Sequence, residues 1–325
     1  MNRKNFIRTT LSAMVASALL GVSSLAMAQA WPARPVKFII PFPPGGTLDT
    51  VGRLLAQKLT EQTGQSFIVE NKPGGQGMIG ADAVAKAPND GYTLLFNAST
   101  FTTTPMVVKS APYDVSKDFL PIALVAKAPL SLAINNDLPV KDVKGLIAYA
   151  KANPGKLSFA IGSNGSAGHL ATEALKRAAG LDIQIVPYKG TGPAMQDLVG
   201  GQIQGFIDPV LGSLQFYKTG KLKVIGVTSA NRVNLLQEVA PVADTVPGYD
   251  YLSWYGVWGQ AKLPSEIAQK LNAEVNKALA GDMKDRLLAQ GLLLGGGSTD
   301  DFAKFQRDDM ARSQKIITDG NIKAE

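Results

Sequence analysis

Cysteine is absent from the chain, and histidine occurs once, as His169. The first absence excludes disulfides, thiol nucleophiles, Cys-ligated zinc and cysteine-linked lipid anchors. The second excludes metal centres built from two or three imidazoles, so no metal site is expected. Any Ser-His-Asp triad would have to use His169. The chain also lacks a G-x-S-x-G nucleophile turn, a Walker-type phosphate loop, an internal repeat and a long basic run. Beyond residue 30 no stretch is apolar enough to span a bilayer.

Positive charge is in excess: 33 Lys plus Arg against 26 Asp plus Glu, or +7 over 325 residues. Part of that excess belongs to an address. Arg3, Lys4 and Arg8 form a positive head, Leu11–Met27 is apolar and uncharged, and Ala26-Met27-Ala28 and Ala28-Gln29-Ala30 are small-x-small cleavage patterns. Residues 1–30 therefore read as a cleavable signal peptide, cut after Ala28 or Ala30, on the general export route. The apolar run is short for a membrane anchor. The remainder keeps 30 basic and 26 acidic residues, +4, too mild an excess to point to nucleic acid. A periplasmic protein is expected, and its length suits two domains.

Short β-branched or aromatic runs alternate with helical patterns. Strands are predicted at Val36–Ile40, Phe67–Glu70, Tyr92–Phe96, Leu157–Ile161, Ile183–Pro187, Ile203–Ile207 and Leu222–Thr228. Helices are predicted at Thr50–Thr63, Ile79–Ala87, Ala167–Ala179, from Pro193, at Pro264–Ala280, and after Ser298-Thr-Asp-Asp301, which reads as a capping signature with Asp in place of Glu. This alternation implies α/β layers with largely parallel sheets. Ile122–Asn135 and Tyr249–Gln260 are extended and lie between or after the two clusters of βα units. They read as two crossovers between lobes, with the C-terminal helices returning to the first lobe. The expected lobes are 31–127 plus 252–325, and 128–251.

Four loops at strand ends share one composition, rich in Gly, Ser, Thr and Asn: Pro41–Asp49, Asn97–Thr100, Gly162–Gly168 and Tyr188–Gly192. In parallel α/β sheets ligands lie beyond the carboxyl ends of strands, where glycine lets backbone approach and helix N-termini hold anions. Only Lys189 adds a full positive charge, so neutral, short donors favour a carboxylate over a polyphosphate. Asp49 sits in a first helical turn and is expected to order its loop. His169 reads as a capping or packing residue, and Trp254 and Trp258 as core or hinge aromatics. Asp208, before Pro209, has three readings: a helix cap, a partner for a ligand amino or hydroxyl group, or a water ligand. Gly75-Gln-Gly-Met-Ile-Gly80 matches a dinucleotide fingerprint formally, but lacks the tight strand-to-helix turn and the acidic residue that would complete it, and reads as a turn.

Taken in order, many blocks resemble the Bug-type extracytoplasmic solute receptors of tripartite tricarboxylate transporters. They include Trp31-Pro-x-Arg-Pro-Val36, Pro41-Phe-Pro-Pro-Gly-Gly46 with Asp49, Val69-Glu-Asn-Lys-Pro-Gly-Gly75, Asp90-Gly-Tyr-Thr-Leu94, Ala148–Leu157, Gly165-Ser166 with His169-Leu170, Val186-Pro-Tyr-Lys-Gly190 and Val227-Thr-Ser229. Leu211–Tyr217 departs from the pattern by lacking its usual Pro.

The resemblance implies a type II periplasmic binding protein, two lobes closing over a small organic acid that is handed to membrane permease subunits. It implies no cofactor and no catalysis. Family ligands are dicarboxylates, acidic amino acids, aromatic acids or other carboxylates. By position, one carboxylate would be held by Pro43, Pro44, Gly45, Gly46, Thr47 and Asp49 and by Ser163, Asn164, Gly165 and Ser166. Phe42, Ser99, Thr100, Tyr188 and Asp208 are candidates for the distal end. A monomer is expected. A receptor that presents its ligand to a sensor kinase would use the same site, and an exported hydrolase is the remaining alternative.

Overall fold

The computed structural model describes residues 31–322; the segment read as an export signal lies outside them. The first strand, β1 (Val36–Ile40), is apolar and buried except at Lys37, which pairs with Glu70 on the surface. Helix α1 (Thr47–Thr63) follows and stops at Gly64, whose left-handed φ of 72° suits a residue without a Cβ. Then come β2 (Phe67–Asn71), α2 (Met78–Ala85), β3 (Thr93–Ala98), α3 (Thr100–Val107), a short α4 (Val115–Asp118) and β4 (Phe119–Ile134). The second run is α5 (Val143–Ala152), β5 (Leu157–Ile161), α6 (Ala167–Ala179), β6 (Ile183–Pro187), α7 (Thr191–Val199), β7 (Gly205–Pro209), α8 (Val210–Lys218) and β8 (Lys223–Val227). The chain returns through β9 (Leu252–Gln260), α9 (Ser265–Ala280), α10 (Met283–Leu288), β10 (Leu293–Leu294) and α11 (Thr299–Gly320).

In the first lobe β1 pairs in parallel with β2 and β3; in the second β5 pairs in parallel with β6 and β7. The 16-residue β4 serves both. Its Phe119–Pro129 half pairs antiparallel with β9, and its Leu130–Ile134 half with β7 and β8. Strand β9 lies between β3 and β4. The change of lobe falls at Pro129–Leu130, directly beside the second crossing at Tyr251–Leu252. Thr228 ties the two crossings. Its N–H donates to Leu130 O (2.9 Å), Leu130 N–H donates to its Oγ1 (3.1 Å), Tyr251 N–H donates to its carbonyl (3.0 Å), and its hydroxyl donates to Tyr251 O. Rotation about these two crossings would leave each sheet intact, which is what a hinge requires.

Each lobe has its own core: Phe38, Leu55, Leu94 and Val257 in the first, Leu132, Phe159, Leu175 and Ile207 in the second. Helix α9 packs on α1 and β4, as its Ile267–Leu279 stripe anticipates. The last helix differs from expectation, because it straddles the lobes. Trp254 and Trp258 of β9 donate their indole N–H groups to Asp309 Oδ2 (2.9 Å) and Gln306 Oε1 (2.7 Å) on α11. Further along, Ile317 packs with Val107 of α3 and Leu170 of α6. The predicted Ser298–Asp301 capping box is present in both directions. Gly75–Gly77 forms one turn leading into α2, not a dinucleotide loop. Despite its missing Pro, 211–217 forms part of an ordinary helix, α8.

Candidate functional site

The loop from β1 to α1 contains Pro43 and Pro44, whose rings fix φ, and Gly45, which turns the chain at φ +92°. Gly46 is the N-cap and offers no side chain, so the first-turn N–H groups of α1 keep no side-chain partner there. Beneath the loop Asp49 is buried. It accepts from Gly45 N–H (3.1 Å), Arg53 Nε (2.9 Å) and Asn71 Nδ2 (2.9 Å), and Asn71 also donates to Phe42 O (3.0 Å). Burial raises the Asp49 pKa, but the hydrogen bonds from Arg53, Asn71 and Gly45 outweigh it, and the carboxyl stays below its ordinary value. A carboxylate so occupied orders the loop, as its position in the sequence predicts.

In the second lobe Ser166 caps α6 by accepting from His169 N–H (3.2 Å), while His169 Nδ1 accepts from Gly165 N–H (3.0 Å). Burial, with a lesser contribution from Lys176, lowers the His169 pKa to about 4, so the ring is neutral at pH 7 and Nδ1 is free to accept. The carbonyls of Gly165 and Asn164 accept from Thr103 Oγ1 and Thr104 Oγ1 of α3, across the seam between lobes. The neighbouring loop is tied in: Gly190 N–H donates to Gly162 O (2.8 Å), and Thr191 Oγ1 donates to Asp208 Oδ2 (2.8 Å).

These loops face each other over a cleft that encloses about 780 Å³ of non-protein space, open solvent included. A Cβ on Gly46 would stand 4.0 Å from Thr191 Oγ1, and one on Gly190 3.8 Å from Pro43 Cδ, so the rims nearly meet. Phe42, Pro43, Pro44, Gly46, Thr47, Asp49, Thr100, Ser163, Ser166 and Asp208 line it. Five other candidates are placed elsewhere. Gly45 is held on Asp49. Asn164 and Gly165 serve the seam. Ser99 is buried 3.4 Å from Ser253 Oγ, and the Tyr188 hydroxyl donates to Asp197 Oδ2 (2.6 Å). Asp208 does not cap α8, whose N-cap is Pro209 without a side-chain bond.

Sequence reasoning missed Thr191, Ser253 and Tyr255, all of which line the cleft. Thr191 lies in a loop already noted for its glycines. Ser253 and Tyr255 share one face of β9, opposite Trp254, a separation that period-two alternation would have revealed. The decisive geometry is at the helix ends. Thr47, Thr100, Ala167 and Thr191, the first residues of α1, α3, α6 and α7, and Pro209, the N-cap of α8, all line this one cleft. Each such end carries about half a positive charge, so five of them make the cleft a trap for an anion.

The profile of the family described as "Tripartite tricarboxylate transporter family receptor" matches residues 51–322. The chain belongs to this receptor family. Protein BugT of Bordetella pertussis is 34% identical to it over 313 residues, covering 94% of this chain and 95% of BugT. The R. palustris protein Rpa4515, solved with adipate, is 36% identical at a TM-score of 0.88, over 90% of this chain and 99% of that one. MatC of Rhodopseudomonas palustris, solved with malate, is 29% identical at 0.82, over 88% and all (100%) of the two chains. Family members are periplasmic solute-binding receptors, and the two-lobed binding-protein fold is theirs.

In this receptor His169 holds the Gly165 loop only while neutral. Its folded pKa lies below the unfolded value of 6.5, so its contribution is complete above pH 6.5 and is lost as pH falls towards 4. Replacing it with Ala is expected to cost about 1–3 kcal/mol at pH 7.5, the penalty of an orphaned buried N–H plus a cavity. Chemical denaturation of both proteins from pH 7.5 to pH 4 should show the gap closing; a gap independent of pH would contradict the assignment.

Proposed function

We propose that this receptor binds a small carboxylic acid in the interlobe cleft and delivers it to the membrane permease subunits of a tripartite tricarboxylate-type transporter. The observation that carries the ligand class is the convergence of five helix N-termini on one cleft, with Lys189 as the single cation at its wall among the described residues. Dipoles of both lobes address one anion, so the ligand gains most from the closed form, and its binding shifts the population towards closure. The adipate and malate with which two relatives were solved make C4–C6 dicarboxylates the first compounds to try.

Binding without turnover is the expected activity. The one imidazole is buried and its Nδ1 already accepts from Gly165, which leaves it unsuited to activating a nucleophile. We take residues 31–127 with 252–325 as one lobe and 128–251 as the other. Export would proceed by cleavage after Ala28 or Ala30, and the protein would work as a monomer that closes on its ligand.

Titration calorimetry and thermal shift against C4–C6 dicarboxylates, aspartate, glutamate, citrate, nicotinate and terephthalate test the reading. At 1 mM, a ligand with a Kd near 1 μM stabilises by about 4 kcal/mol, a shift of several degrees. A panel of carboxylates that gives no shift, or steady consumption of a bound compound, would overturn it.

A further inference from the structure

The cleft floor contains a group that the anion trap does not use. Asp208, at the end of β7, is only 8% exposed and forms no ion pair among the described residues. Its Oδ2 accepts from Thr191 Oγ1 at 2.8 Å. Its Oδ1 faces Gly162, where an added Cβ would lie 3.9 Å away. Across the floor β9 presents Tyr255, whose hydroxyl is buried next to Ser253 and Thr47 and feels the Asp208 charge. Thr47 Oγ1 is buried without a hydrogen-bond partner; Tyr255 neighbours it, but the two make no bond of acceptable geometry.

The titratable groups on the surrounding elements leave Asp208 without compensation. Asp49 on α1 is taken by Gly45, Arg53 and Asn71. On α6, His169 is neutral, and Glu173 pairs with Lys176 at 3.8 Å while Arg177 shares the last turn. Asp197 of α7 accepts from Tyr188, and Tyr217 of α8 donates to Glu238, with Lys218 at the far end of that helix. Lys189 lines the cleft from an exposed position. With no cation bonded to it, burial pushes the Asp208 carboxyl up to about 7, the bond from Thr191 only partly opposing this.

The floor thus holds an unpartnered hydroxyl at Thr47, with Tyr255 beside it, and one acid with a free oxygen. A carboxylate, which only accepts, can take the Thr47 O–H and a carboxylic O–H together. We propose that the cleft floor is a second carboxylate subsite in which Asp208 acts as a specificity-determining acid, holding one proton between its Oδ1 and the inner carboxylate of a dicarboxylate ligand. This rests on the carboxylate reading of the cleft. An ionised Asp208 would repel the ligand, so binding above neutral pH must draw a proton from solvent. No bond is made or broken beyond that transfer: solvent supplies the proton on binding and takes it back on release.

The test is titration calorimetry with adipate, succinate and malate from pH 6 to pH 9, in Tris and in HEPES, whose different ionisation enthalpies report protons exchanged. Above pH 7 the affinity is expected to fall about tenfold per pH unit, with close to one proton taken up per ligand at pH 8.5. Asp208→Asn, which keeps a neutral donor, should flatten the profile to less than threefold between pH 6 and pH 9, with no proton uptake. Binding by the unaltered receptor that is independent of pH, or that strengthens as pH rises, overturns the proposal while sparing the carboxylate reading. Failure of every dicarboxylate to bind already at pH 6 overturns both.

Discussion

A Gly46→Trp variant is expected to lose at least 100-fold in affinity for any cleft ligand while keeping its unliganded melting temperature within about 2 °C of the parent. Gly46 has φ −82° and ψ 170°, a conformation open to every L-residue. A Cβ there meets nothing nearer than Thr191 Oγ1 at 4.0 Å. The added indole would enter the gap between the rims, where ligand and lobe closure both need the space, and would disturb no core contact. Gly165 looks equivalent in the sequence but is different physically. It sits at φ +75°, and its Cβ would press on the Thr103 backbone at 3.2 Å and Val107 Cγ2 at 3.1 Å. Substitution there strains the seam between lobes and lowers stability first. Thermal melts and calorimetry on Gly46→Trp settle the matter: a variant that still binds tightly would remove the β1–α1 loop from the site.

The largest loss of stability is expected from the smallest substitution, Gly168→Ala. Helix α6 begins so close to β7 that a Cβ on Gly168 would lie 2.1 Å from Ile207 O, an atom of the backbone that cannot rotate away. The first turn of α6 must lift off the sheet, with an overpacking cost at or beyond the usual upper value of about 3 kcal/mol. Because Ser163 and Ser166 line the cleft at that turn, ligand affinity should fall as well, by at least 30-fold. Denaturant titration of the unliganded variant checks the first effect. A midpoint unchanged from the parent would mean that α6 accommodates the methyl group, and that the glycine is not there to allow close packing.

Much of the scaffold is legible in local pattern. Val36–Ile40 with Thr50–Thr63, and Leu157–Ile161 with Ala167–Ala179, announce βα units through run length, stripe and terminal glycine. Helix boundaries moved where backbone, not periodicity, decides: α1 begins at Thr47 behind its glycine cap, and α7 begins at Thr191 with Pro193 inside its first turn. Helix α3 was unreadable, since Thr100–Val107 holds four threonines, a valine and Pro105 and becomes helical through burial of Phe101 and its neighbours. The site divides in the same way. Loops carry their composition openly, so ten candidates do line the cleft. Which oxygen faces the ligand depends on tertiary neighbours: Tyr188 turns to Asp197, while Tyr255 arrives from a strand 200 residues after the first loop.

The insertion of β9 between β3 and β4 bears on how this chain must be made. A sheet order of β1-β3-β9-β4 means that the first lobe cannot be assembled from its own N-terminal third. Until residues 252–260 have emerged, β3 and β4 present bare edges that only β9 can satisfy. The second lobe, contiguous in the chain from Leu130 to Tyr251, can close its parallel strands earlier. The first lobe then finishes last by capturing a distant strand, a slow, non-local step during which the edges of β3 and β4 remain open to pairing with other chains.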